Sequence, residues 1–202
     1  MIHVLFLNGL SDGTTRKREQ FAIKYLAKHD IIVEHIPVNW RSEESFADLL
    51  ERLTKITRQK LKEHGQLLLI GSSAGGSLAL NVFKRVDSKN LYAITLCSRL
   101  HDVQLPWWDW RTMDRMAYMG TPKASQKFVD SVAYCTDKII PALTVKDKKR
   151  IVIVQQLADG VVPRPTMSIN DAQTYKVFAI GHGWGIALGV RHIPKIVNSM
   201  LY

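Results

Sequence analysis

The sequence predicts an α/β fold, a mainly parallel sheet of about six strands with helices on both faces. Three observations carry this. Short runs of consecutive apolar residues, such as 67–70 and 151–154, recur along the chain. Stretches with apolar residues at helical spacing alternate with those runs. One run feeds directly through the small-residue turn Gly71-Ser72-Ser73-Ala74-Gly75 into a helical stretch. Runs that are apolar at every position suit strands covered on both faces, as parallel sheets are.

Residues 2–7 form the first predicted strand, closed by the turn signal Asn8-Gly9. Thr14 and Thr15 are candidate caps for a helix over 16–28 that presents Phe21, Tyr25 and Leu26 on one face. A second strand spans 31–38. Ser42 is the expected cap of the next helix, with Glu43 and Glu44 in its first turn, where carboxylates suit the dipole. Phe46, Leu49, Leu50, Leu53 and Ile56 mark its buried stripe, and Gly65 follows its end. Strands at 67–70 and 91–97 flank a helix that runs to about Val86. The segment 98–147 is too long for a simple crossover and holds Pro106-Trp107-Trp108-Asp109-Trp110, then a helix over 123–139. Strands at 151–156 and 175–180 close the sheet. A helical region from Trp184 is expected to break before Pro194, which would open a second helix.

The 202 residues suit one domain, 1–202, with an excursion at about 98–147. An apolar content of 46 % and a charged content of 23 % are those of a globular protein. No apolar run approaches the roughly 20 residues that span a bilayer. The apolar N-terminus is too short for a signal peptide, and the two cysteines, Cys97 and Cys135, sit in unrelated surroundings. A reduced, cytoplasmic setting is expected. The net charge is +10, but its basic residues are scattered, with short clusters only at 16–18 and 146–150. That pattern reads as a solvated basic surface rather than a nucleic-acid site. Nothing in the composition speaks to oligomeric state.

The turn at 71–75 matches G-x-S-x-G with Ser73 at its centre. At such an elbow a strand turns so sharply into a helix that the serine backbone is strained and Oγ stands clear. An elbow serine needs a base, and the base needs an orienting acid. Asp159 directly follows the strand at 151–156, and His182 directly follows the last strand. Parallel strands bring their C-terminal ends to one sheet edge, so Ser73, Asp159 and His182 are expected to converge there. Asp102, after the strand ending at Cys97, is the rival acid, and His101 and His192 are rival bases. Gly181-x-Gly-x-Gly185 has the wrong spacing for a dinucleotide loop. No metal-ligand spacing is present.

In this order, Ser, Asp, His at successive strand ends, the chain resembles a small α/β-hydrolase with little or no cap domain. The resemblance covers nearly the whole length: the first strand with Asn8-Gly9, the elbow, Asp159-Gly160-Val161-Val162-Pro163, and Gly181-His182-Gly183. Asn8 departs from the His-Gly that many members carry. The resemblance implies a serine hydrolase acting on a small-molecule carboxylic ester or thioester, with no cofactor and no metal. It also implies an oxyanion hole from the backbone N–H groups of Ala74 and Leu10. Trp107, Trp108 and Trp110 are candidates for lining or covering an acyl pocket, or equally for packing the excursion onto the core. The alternative is a non-catalytic binding module of the same fold that uses the basic surface.

Overall fold

Six strands form one all-parallel sheet in the order β2-β1-β3-β4-β5-β6. They are β1 (Ile2–Leu7), β2 (Ile31–Ile36), β3 (Leu67–Ser72), β4 (Leu91–Leu96), β5 (Ile151–Ala158) and β6 (Gln173–Ile180). Among the described residues, six α-helices connect or cover them: α1 (Lys17–Ala27), α2 (Phe46–His64), α3 (Ala74–Val86), α4 (Gln126–Tyr134), α5 (Val145–Lys148) and α6 (His182–Leu201). The computed structural model describes residues 2–14, 17–101 and 126–201. Among these, no helix is long and apolar enough to cross a membrane.

The helices divide between the two sheet faces. Ala22 and Leu26 of α1 and Ile186, Val190, Ile193 and Val197 of α6 pack on Val4, Phe6, Ile70 and Val154. On the opposite face, Leu49, Leu50 and Leu53 of α2 and Leu78, Leu80 and Phe83 of α3 pack on Leu5, Leu69 and Ile153. Each of these α2 leucines is at most 2 % exposed, and burying such a side chain stabilises by about 1.5–3 kcal/mol.

All six predicted strands and the helix pattern are present, with shifts at the ends. The second helix is capped by Ser45, whose side chain accepts the Asp48 N–H, and not by Ser42. Ser42 Oγ instead accepts a hydrogen bond from the buried Lys127 ammonium, 2.7 Å away, and Glu44, outside the helix, pairs with Arg52 at 2.7 Å. β2 stops at Ile36 because Pro37 cannot donate to the ladder. In α1 the buried apolar residues are Ala22 and Leu26, while Phe21 is 37 % exposed. The last helix does not break: α6 runs through Pro194. A proline there removes one helical hydrogen bond, at about 3 kcal/mol. Val190, Ile193, Ile196 and Val197, each at most 7 % exposed, anchor both sides of it. The helix expected over 123–139 is α4 followed by a π-helical turn at Cys135–Ile139.

Candidate active site

The chain reverses direction across the sheet between β1 and β3, since β2 lies on one side of β1 and the later strands on the other. In open parallel sheets, ligand sites form beyond the C-terminal ends of strands at such a switch point. Leu7 pairs with Gly71, so Asn8 and Gly9 leave β1 alongside Ser72 and Ser73. A Cβ added at Gly9 would lie 3.1 Å from Ser73 Cβ and 3.6 Å from its Oγ. The loop after β1 therefore rests directly on Ser73.

Ser73 has φ 53° and ψ −118° and immediately precedes α3. A non-glycine residue held there stores about 1–3 kcal/mol of backbone strain. Its N–H donates to Leu96 O at 2.9 Å. The surroundings explain the flanking glycines. A Cβ at Gly71 would run into the Gly75 carbonyl, and one at Gly75 would lie 2.5 Å from Leu7 O. Strand and helix can meet this closely only without side chains.

At the other end of the sheet edge, Ala158 pairs with Ile180, and Gly181 N–H donates to Ala158 O at 3.1 Å. Asp159 and His182 thus leave β5 and β6 side by side. Asp159 Oδ1 accepts the N–H groups of Val161 (2.8 Å) and Val162 (3.0 Å). Its Oδ2 lies 2.8 Å from His182 Nδ1, with the Asp159 side chain fully buried. A carboxylate only accepts, so Nδ1–H donates to it. His182 Nε2 is then free to accept the Ser73 hydroxyl proton, and it lies 2.8 Å from Ser73 Oγ. Residues 109 positions apart in sequence are thereby joined in one line, Ser73 to His182 to Asp159.

The rival bases are engaged elsewhere. His101 Nε2 donates to Ser168 O at 2.6 Å, and His192 Nδ1 lies 3.2 Å from the Tyr175 hydroxyl. Asp102, Trp107, Trp108 and Trp110 lie outside the described residues. The cysteines are poor nucleophiles: burial, and then the Asp159 charge, push Cys97 up to about 12, and burial pushes Cys135 higher still.

Similarity to known proteins follows the fold rather than the sequence. No protein-family model and no curated protein matches the chain. Solved structures do, over almost its whole length. One is an alpha/beta hydrolase enzyme from lagoon-sediment metagenome of Mar Chica, Morocco, at 16 % identity and TM-score 0.61, covering 98 % of this chain and 89 % of that one. A metagenome-derived lipolytic enzyme matches at 13 % identity and TM-score 0.69, covering 98 % and 94 %. A monoacylglycerol lipase of Paleococcus ferrophilus matches at 15 % identity and TM-score 0.61, again over 98 % and 94 %. The chain has the α/β-hydrolase fold.

Within that fold, the loop after β1 is held by Asn8, which is fully buried. Its Nδ2 donates to Ser11 Oγ at 2.7 Å and to Val38 O at 3.1 Å, while Oδ1 accepts Val38 N–H at 2.8 Å. Leu10 follows in the loop, and Ala74 opens α3, where the first N–H groups of a helix lack intrahelical acceptors. Both expected donors thus lie on segments that adjoin Ser73.

A cavity of about 460 Å³ opens over Ser73 and His182, within the range of small-molecule sites. Its walls come from α1 and α6, with Phe21, Trp184, Ile186 and Val190 among the lining residues, and from Leu10 and Val161. Sequence reasoning named Leu10 for its backbone N–H but missed the walls supplied by α1 and α6. The available signal was periodicity: Trp184, Ala187 and Arg191 recur at helical spacing directly after His182.

Proposed function

We propose that this chain is a serine hydrolase that cleaves a carboxylic ester or thioester of a small molecule. The single observation behind the proposal is the hydrogen-bonded line from Ser73 Oγ through the His182 ring to the buried Asp159 carboxylate. In this reading the 202 residues act as one domain.

Ser73 Oγ attacks the substrate carbonyl as His182 Nε2 takes its proton. Asp159 holds the ring with Nδ1–H toward it and stabilises the imidazolium that forms. The carbonyl oxygen, now negative, receives the N–H groups of Leu10 and Ala74, and each such donor is worth about 3–4 kcal/mol in the transition state. The tetrahedral adduct collapses, the bond to the alcohol or thiol breaks, and His182 returns the proton to that leaving group. Water then repeats the sequence on the acyl-serine, releasing the acid and restoring Ser73.

Hydrolysis of short p-nitrophenyl esters by the wild type and by Ser73→Ala tests this. Wild-type turnover that falls by about 10⁴-fold or more in the variant supports it. Equal rates remove Ser73 as the nucleophile. A folded wild type that turns over no ester and instead binds nucleic acid in a salt-dependent way supports the binding-module alternative.

A further inference from the structure

We infer that the preferred substrate carries an anionic group, recognised at the solvent-exposed rim of the cavity by Arg191 and Lys17. The inference deepens the hydrolase reading and rests on it for the place of the reacting carbonyl. The cavity is not uniformly apolar: Lys17, Glu19 and Arg191 line it together with Phe21 and Trp184. Arg191 shares a helical stripe with Trp184 and Ala187, and Lys17 shares one with Phe21. Each cation therefore continues an apolar wall that leads to Ser73.

Charge balance favours an anionic guest. Glu19 is 6 % exposed and already has an interaction within the protein. Among the described residues, neither Lys17 nor Arg191 is held in an ion pair. The chain carries +10 overall, a field that draws anions toward a low-dielectric cleft. A neutral ester would leave both cations unused, whereas an anion would meet a guanidinium suited to binding carboxylate through two N–H groups.

Position sets the shape of the guest. Arg191 lies nine residues beyond His182 in α6, roughly 13 Å along the axis. Helical side chains lean toward the N-terminus, so its charge falls several ångströms closer to the carbonyl. That spacing suits an anion separated from the ester by an apolar chain or a ring. The anion can belong to the acyl part or to the leaving alcohol, and the two are separable.

Equilibrium binding to Ser73→Ala, which leaves esters intact, tests the inference by calorimetry. The acyl arm compares p-nitrophenyl hydrogen adipate with p-nitrophenyl hexanoate. The alcohol arm compares the hexanoyl esters of 4-hydroxybenzoate and 4-hydroxybenzamide. In at least one arm the anion should bind about tenfold tighter, as one charge-assisted contact provides. The gap should close when Arg191→Gln or Lys17→Gln is added and narrow in 0.5 M salt. It should survive Arg85→Gln, which removes one charge at the end of α3, where Arg85 pairs with Glu51. Equal binding of charged and neutral partners in both arms overturns the inference, as does a gap that persists in both cavity variants. Wild-type hydrolysis with no charge preference sinks this inference alone. Charge preference in Ser73→Ala without any wild-type turnover sinks the hydrolase reading and leaves an anion-binding cavity.

Discussion

Replacing Asn8 by alanine should damage both stability and turnover, because one buried amide holds two stretches of backbone together. Asn8 and Val38 are each 0 % exposed, and the Asn8 side chain bonds both the Val38 N–H and the Val38 C=O. Removing it leaves two buried backbone groups without partners. Each such group costs about 1–3 kcal/mol, so the two together cost about 2–6 kcal/mol. Ser11 Oγ and His35 Nε2, at 2.7 and 3.3 Å, lose their contacts as well. Freed from Val38, the segment at Gly9 and Leu10 should drift from Ser73. A displaced oxyanion donor lowers kcat by about 10²-fold. Urea unfolding measures the first effect. Steady-state hydrolysis of p-nitrophenyl acetate, well below the melting temperature, measures the second, which should appear in kcat more than in KM. A loss under about 1 kcal/mol with kcat within about twofold of wild type would refute this role for Asn8.

Three further substitutions follow from the same geometry. Gly75→Ala places a Cβ 2.5 Å from Leu7 O and 2.7 Å from Asn8 O, and the overpacking should lower the melting temperature by about 10 °C in a thermal scan. Asp159→Asn should lower kcat by about 10⁴-fold with an unchanged circular dichroism spectrum, because the ring loses its orienting carboxylate but not its place. Asp147→Asn should destabilise by about 3 kcal/mol in urea, since its side chain is 4 % exposed and lies 2.6 Å from Arg150 and 3.0 Å from Lys84. Burial pushes the Asp147 carboxyl up, but hydrogen bonds from Thr144 and Lys84 outweigh it and hold it below its ordinary 3.8. A depressed carboxyl stabilises above its unfolded value and loses that contribution as pH falls through the folded one, so wild-type stability should drop below about pH 4. Asp147→Asn should flatten that limb.

The central strands were legible because β3, β4 and the first half of β5 are nearly continuous apolar runs, and parallel topology forces such runs to end at one edge. By contrast, β6 opens on the polar Gln173 and Thr174 and so starts earlier than its apolar part suggests. Ser73, Asp159 and His182 were legible for the same reason, as each directly follows a predicted strand. Helix ends were less so. Ser42 and Ser45 both precede acidic residues; the winner is Ser45, with Asp48 three positions on, a spacing visible in the sequence. Pro194 misled because local propensity argues for a break, while burial of Ile193 and Val197 on either side holds the helix together. The Asn8 network was not legible at all, because its partners at Val38 and Trp40 lie about thirty residues away. The cavity walls were less legible, because α1 and α6 meet only in the fold: Tyr25 and Arg191, which are hydrogen-bonded there, are 166 positions apart in sequence.

The most direct test is reaction with a fluorophosphonate, a reagent that phosphonylates activated serines. The folded wild type should carry one adduct, on the peptide that contains Ser73, and Ser73→Ala and His182→Ala should carry none. A folded wild type that stays unmodified, or a label that remains after Ser73 is removed, would contradict the assignment of this edge of the sheet as a hydrolytic centre.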